Sequence, residues 1–123
     1  MPDFFIGTDI LSVHRIGKIL KSKNKNRFKI KTFTKKEIEY CGNKPQPMIH
    51  YAGRFAAKEA IKKAFLSSEI ISNIPFHSIE IINEESGNPL VNIHSNSIVF
   101  STCKVSISHT EEFAVAFAFL ILS

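Results

Sequence analysis

The sequence predicts an α+β fold, a single domain in which a long central helix packs on an antiparallel β-sheet. Three observations predict it. Small and large apolar residues recur at helical spacing between Ile49 and Leu66. Short β-rich runs, separated by turn residues, fill the second half of the chain. The length of 123 residues, with 44% hydrophobic and 22% charged, suits one folded domain spanning 1–123 rather than two.

The elements follow in order. Phe4-Phe5-Ile6-Gly7-Thr8-Asp9-Ile10 reads as a strand, with Phe5, Gly7 and Asp9 on one face and Phe4, Ile6, Thr8 and Ile10 on the other. Val13, Ile16, Gly17 and Leu20 then suit a short helix, with Ser12 as its N-cap. Thr34 with Glu37 three residues later is a capping-box pattern, and the helix it starts should end before Gly42 and the Pro45-Gln46-Pro47 loop. The long helix runs from about Ile49 to Leu66. Ala57, Ala60, Ile61, Ala64 and Phe65 form its main stripe, and Phe55 and Leu66 on the opposite side predict cover on more than one face.

The β half begins with a strand over His77 to Ile82, a turn at Glu85-Ser86-Gly87-Asn88-Pro89, and a strand over Leu90 to Ile93. Ser95 to Thr102 is ambiguous between a short helix and a strand. Lys104 to Ser108 and Phe113 to Ile121 pair around a turn at Thr110-Glu111-Glu112. The last strand alternates Phe113, Val115, Phe117, Phe119 and Ile121 with Ala114, Ala116 and Ala118. Both of its faces are therefore apolar, which makes it a central or an interface strand.

Charge and cysteine content narrow the function. Sixteen Lys+Arg against eleven Asp+Glu give a net charge of +5, which predicts an anionic partner. The basic residues crowd between Lys18 and Lys36, a run that by itself is as well explained as a solvated surface. Cys41 and Cys103, far apart and without metal-type spacing, argue against a disulfide framework or a zinc site. Met1-Pro2-Asp3 leads straight into a strand with no secretory signal, and the apolar stretch Phe113 to Leu122 is half the ~20 residues a membrane helix needs. The expectation is a soluble, cytoplasmic protein without a membrane partner.

Three segments interrupt apolar patterns with polar residues. Asp9 alone reads first as a carboxylate capping the next helix. With Gly7 leaving room for a phosphate, it also suits a hard cation such as Mg²⁺. In Arg54-Phe55-Ala56-Ala57-Lys58-Glu59-Ala60-Ile61-Lys62, the residues Arg54, Lys58 and Lys62 line one basic edge, and their repulsion calls for an anion across them. Glu59 projects among apolar neighbours, so it needs a cation: Lys62 or Lys63 in the ordinary reading, a metal in the functional one. Ser106-Ile107-Ser108-His109-Thr110 offers Ser108 and His109 as hydrogen-bond donors to a phosphate. No nucleophile elbow accompanies them, so a hydrolase is disfavoured. A basic nucleic-acid-binding module is the competing class, but no nucleic-acid motif appears, and Asp9 and Glu59 would oppose a phosphate backbone.

Together and in this order, the segments resemble the holo-acyl-carrier-protein synthase branch of the 4′-phosphopantetheinyl transferases. The resemblance rests on Ile6-Gly7-Thr8-Asp9-Ile10, on Arg54-Phe55-Ala56-Ala57-Lys58-Glu59-Ala60, on Gly87-Asn88-Pro89 and on Ser106-Ile107-Ser108-His109, and it spans nearly the whole chain. It departs at Phe5, where the family commonly has glycine, and in a last strand unusually rich in Phe. The resemblance implies transfer of phosphopantetheine from coenzyme A to a serine of an acyl carrier protein, in support of fatty acid biosynthesis. It implies Mg²⁺ held by Asp9 and Glu59, and Arg54, Lys58, Lys62 and His109 on coenzyme A phosphates. Asp9, Glu59 and Lys62 would carry the catalysis. Ser108 and the turn from Gly87 to Pro89 would shape the nucleotide pocket, and Arg15 and Arg27 would meet an acidic carrier protein. It further implies a homotrimer with sites between subunits.

Overall fold

The computed structural model describes residues 3–69, 71, 73–95 and 98–122. The chain forms β1 (Asp3–Ser12), α1 (Val13–Leu20), α2 (Lys25–Thr32), α3 (Lys35–Gly42) and α4 (Pro47–Ser67), then a 3-10 turn at Phe76–Ser78. It continues through β2 (Ile79–Asn83), β3 (Pro89–Ile93), β4 (Thr102–His109) and β5 (Phe113–Leu122). Strands β1, β5 and β4 make an antiparallel sheet in that order, and β2 and β3 make a separate hairpin. The α+β expectation holds, with β5 in the centre of its sheet as its two apolar faces required. Among the described residues no helix is long and apolar enough to cross a membrane.

Helix α4 lies on the inner face of the three-stranded sheet because both surfaces are built small. Ala52, Ala56, Ala57, Ala60 and Ala64 of the helix share one fully buried core with Ala114, Ala116 and Ala118 of β5. Gly7 carries the idea furthest: a Cβ there would fall 1.9 Å from the carbonyl oxygen of Ala60. That corrects its expected role. Gly7 makes room for the helix backbone, not for a phosphate.

The outer face of the sheet is apolar and open. Phe4, Ile6 and Ile10 of β1 and Phe113, Val115 and Phe117 of β5 are each 41–64% exposed. In register, Ile10 lies beside Val115 and Thr8 beside Phe117. Strand β4 completes this face with Lys104, Ser106 and Ser108, opposite Phe119, Phe117 and Val115.

The caps form as the sequence directs. Ser12 Oγ accepts from the Arg15 amide at 3.2 Å, and Thr34 and Glu37 form the capping box. Helix α4 begins two residues earlier than its periodicity indicates, because Pro47 takes the N1 position that suits a missing N–H. Helix α2 has no counterpart in the sequence reading. Its residues Lys25-Asn26-Arg27-Phe28-Lys29-Ile30-Lys31-Thr32 carry no apolar stripe, and tertiary contacts through Phe28 hold it. Phe28 and Phe76 pack edge-on against Phe55, giving α4 its second covered side. Leu66 stays exposed. Of the ambiguous 95–102 segment, Asn96 and Ser97 lie outside the described residues; β4 claims only Thr102 from it.

Candidate active site

Polar residues of α4 leave the helix on opposite flanks, and each flank borders a different recess. The first lies where the end of β1, α1 and α4 meet, a cavity of ≈280 Å³ lined by Asp9, Arg15, Phe55, Glu59 and Lys63, among others. Asp9 reaches it because it shares the inner face of β1 with Gly7, and only 16% of its side chain is exposed. Lys63 donates from Nζ to Asp9 Oδ1 at 3.1 Å and to the Thr8 carbonyl at 3.0 Å. Glu59 stands one helical turn before Lys63. Burial raises its carboxyl above the ordinary carboxylate value; the Asp9 charge adds to this, and Lys62 and Lys63 oppose it.

Two carboxylates brought together under partial burial have the donor chemistry that a cation site needs. Oxygen donors suit a hard ion, and among the described residues no third carboxylate, histidine or cysteine joins them. That donor set fits Mg²⁺, which keeps most of its coordination for water and substrate phosphate rather than for protein.

The second recess, ≈200 Å³, is bounded by Tyr40, His50, Arg54, Asn83, Gly87 and His109, among others. Arg54 is almost fully buried; its guanidinium lies 4.0 Å from the Tyr40 ring centroid and donates to Asn83 Oδ1. Asn83 in turn donates from Nδ2 to the Gly87 carbonyl at 3.0 Å, so arginine, asparagine and turn form one relay. Gly87 is needed there because its φ of 92° is a left-handed conformation. Arg54 Nε is buried with no hydrogen-bond partner among the described residues. Burial lowers the His50 pKa, and the charges of Lys44, Arg54 and His109 lower it further, marking this recess as positive. It is equipped to take an anion, with an aromatic wall against which a flat ring can pack.

Among the described residues, none lines both recesses. Asp9 and Glu59 come together, as do Arg54, Gly87, Pro89 and His109. The two groups stand apart within one chain.

Three expected positions are corrected. Lys58 cannot meet a phosphate at the surface. It is fully buried, paired with Glu37 at 2.6 Å, and donates to the carbonyls of Phe76, at 3.0 Å, and Ile79. Lys62 enters neither recess; its ammonium sits 4.3 Å from the Phe76 ring centroid. Lys63, four residues after Glu59, takes the place beside Asp9. Ser108 points to the outer sheet face beside Val115, away from the recess that His109 lines. Arg15 borders the first recess, while Arg27 is exposed on α2.

The sequence reading did not single out His50, Tyr40 or Asn83. It named Lys63, on the i, i+4 spacing, only as an ordinary ion partner for Glu59, whereas the structure pairs it with Asp9. Asn83 had none, because its role depends on where the hairpin folds back.

The profile of the 4′-phosphopantetheinyl transferase superfamily matches residues 5–118 of the chain. The chain belongs to that superfamily. It is 44% identical to a holo-[acyl-carrier-protein] synthase of Chlorobaculum parvum over 113 residues, covering 92% of this chain and 94% of that one. The synthase of Protochlamydia amoebophila is 42% identical, with 92% and 93% covered. Among solved structures, the Bacillus anthracis synthase in complex with CoA (3′,5′-ADP) superimposes with a TM-score of 0.79 at 33% identity, covering 97% and 96% of the chains. The Helicobacter pylori synthase in complex with coenzyme A gives 0.80 at 33%, covering 94% and 98%. This transferase thus carries both recesses on a scaffold that its relatives share.

Proposed function

We propose that the chain is a holo-[acyl-carrier-protein] synthase, transferring 4′-phosphopantetheine from coenzyme A to a carrier-protein serine in support of fatty acid biosynthesis. The observation that carries the reading is the pairing of Asp9 and Glu59 beside Lys63, in a chain whose relatives bear that name. Mg²⁺ is the proposed metal, held by Asp9 and Glu59; when bound it withdraws charge from the pyrophosphate.

The chain's own residues divide the remaining work. The serine oxygen forms a bond to the phosphorus bearing the pantetheine arm, and the bond from that phosphorus to 3′,5′-adenosine bisphosphate breaks. Glu59 is the base this recess offers for the serine proton, and the Lys63 ammonium stands ready for the negative charge that develops on phosphate oxygens. Arg54 supplies a cation and His109 a hydrogen-bonding imidazole for the nucleotide phosphates, and Gly87 and Pro89 shape the wall beside them. Arg15, at the rim of the first recess, and Arg27 on α2 are the proposed contacts for an acidic carrier protein, which the basic run from Lys18 to Lys36 would steer in.

A homotrimer completes this proposal. The apolar outer face of β1 and β5 needs cover, and the two recesses need to be joined. A neighbouring copy packed through that face supplies both, setting one chain's carboxylates against another's Arg54 and His109. A cytoplasmic location accords with the free thiols of Cys41 and Cys103.

The test is the intact mass of an apo acyl carrier protein after incubation with this protein, coenzyme A and Mg²⁺. A gain of one phosphopantetheine, lost with EDTA, is expected. No gain from a folded protein with several carrier proteins would reduce the function to coenzyme A binding without transfer. Light scattering at three chains per particle is the expected companion result, and a monomer that retains full activity would overturn the shared-site proposal.

A further inference from the structure

Helix α1 has a second recess on its other flank. It turns Arg15, Ile16 and Ile19 toward the carboxylate recess, and Gly17, Leu20 and the following Lys21 toward a separate cavity of ≈310 Å³. Small-molecule sites begin at about that size. The floor is hydrocarbon: Leu20, Met48 and Pro47, with Tyr51 behind them. The Tyr51 hydroxyl is already committed to the Ile38 carbonyl at 3.2 Å, so what Tyr51 offers the cavity is its ring. Gly17 keeps the space open, because a Cβ there would come within 3.0 Å of Met48 Sδ.

The polar character of this recess is one-sided. Among the described residues, Lys21 and Lys29 are the charged ones on its lining, and no carboxylate accompanies them. Among the described residues neither ammonium has an ion-pair partner. Lys29 instead lies 5.4 Å from the Tyr51 ring centroid, which holds it at the cavity wall. The sequence has no acid between Asp9 and Glu37, so neither lysine has an acidic neighbour within its own segment.

We infer that this recess binds a small aliphatic carboxylate, with the tail on Leu20 and Met48 and the head between Lys21 and Lys29. Charge and shape together select that class. Inorganic phosphate would gain nothing from the apolar floor, and a neutral hydrocarbon would leave both ammonium groups unmatched. The recess lies open to solvent where α1, α2 and the start of α4 converge, and its ≈310 Å³ suits a short chain better than a protein segment. The site shares no lining residue with either half of the transferase site.

Met48 provides a direct probe, because the chain has only two methionines. With the full-length protein labelled at its methionine methyl groups, decanoate should shift the Met48 resonance saturably, and decylammonium should not. The Lys21→Ala/Lys29→Ala double variant should need about fivefold more decanoate, the size expected of two ordinary rim ion pairs. An unmoved Met48 signal, an equal response to decylammonium, or unchanged affinity in the double variant would overturn the inference. Displacement of decanoate by coenzyme A would assign the binding to the transferase site instead. Displacement by apo acyl carrier protein would assign the recess to a protein partner. Because the readout is binding alone, it stands whether or not transfer activity is found.

Discussion

The two halves of the candidate site differ in what holds them in place. The carboxylate half is built on the helix and strand backbones: Asp9 on the inner face of β1, Glu59 and Lys63 one turn apart on α4. The cationic half is built from side chains and a turn, Arg54 bonded to Asn83 and Asn83 to Gly87. Arg54 and Phe55 are neighbours in sequence yet border different recesses, because successive residues of a helix project about 100° apart. A single helix thus serves two half-sites. The carboxylate end stands on regular elements, while the anion-suited recess is held together by a side-chain relay.

Lys58 lies between these flanks, and replacing it should have the largest effect. Lys58→Met leaves Glu37 buried without its ion partner and should destabilise the fold by about 3–5 kcal/mol in urea unfolding. A stable variant with weakened coenzyme A binding would instead return Lys58 to the phosphates. Next comes the acidic half. Asp9→Asn or Glu59→Gln should lower kcat/KM by about 10²–10³-fold with little change in unfolding midpoint. Near-normal turnover of folded Glu59→Gln protein would remove this residue from the chemistry.

The two adjacent lysines separate more finely. Lys63→Ala should cut transfer by about tenfold or more. Lys62→Ala should stay within the range of a surface change, roughly 0.5 kcal/mol in stability, with activity retained. Reversal of that order in the mass assay would restore Lys62 to the site. The smallest effect concerns pH. Because the Glu59 carboxyl is raised in the folded state, the protein holds its proton longer than the unfolded chain does. The stability contributed by that proton is full below the ordinary value of 4.5 and is lost as pH rises through the raised value. Unfolding titrations should show this decline flattened in Glu59→Gln, and an unchanged slope would contradict it.

The same division explains what the sequence disclosed. Features set by local spacing were legible: the alanine stripe of α4, the Thr34–Glu37 capping box, and the turn from Gly87 to Pro89. Asp9 and Glu59 were legible as isolated carboxylates. Lys58 was misread because a lysine on a basic helix edge ordinarily faces water, and only folding brings Glu37 of α3 to meet it. Helix α2 was not legible, since polar residues without period gave it no pattern to read. Ser108 lies on the outer face of the sheet while His109 lines the recess, because successive strand residues project to opposite faces.

The missing side chain of Gly7 has a wider consequence. Backbone contact at Ala60 fixes where β1 crosses α4, and Asp9 follows two residues later on the same face, while Glu59 immediately precedes Ala60. The spacing of the acidic pair is therefore gauged by main chain against main chain. Repacking elsewhere in the core can proceed without changing the bite offered to a cation, whereas one added carbon at position 7 would open it. Selection on that spacing would then act on a residue that has no side chain.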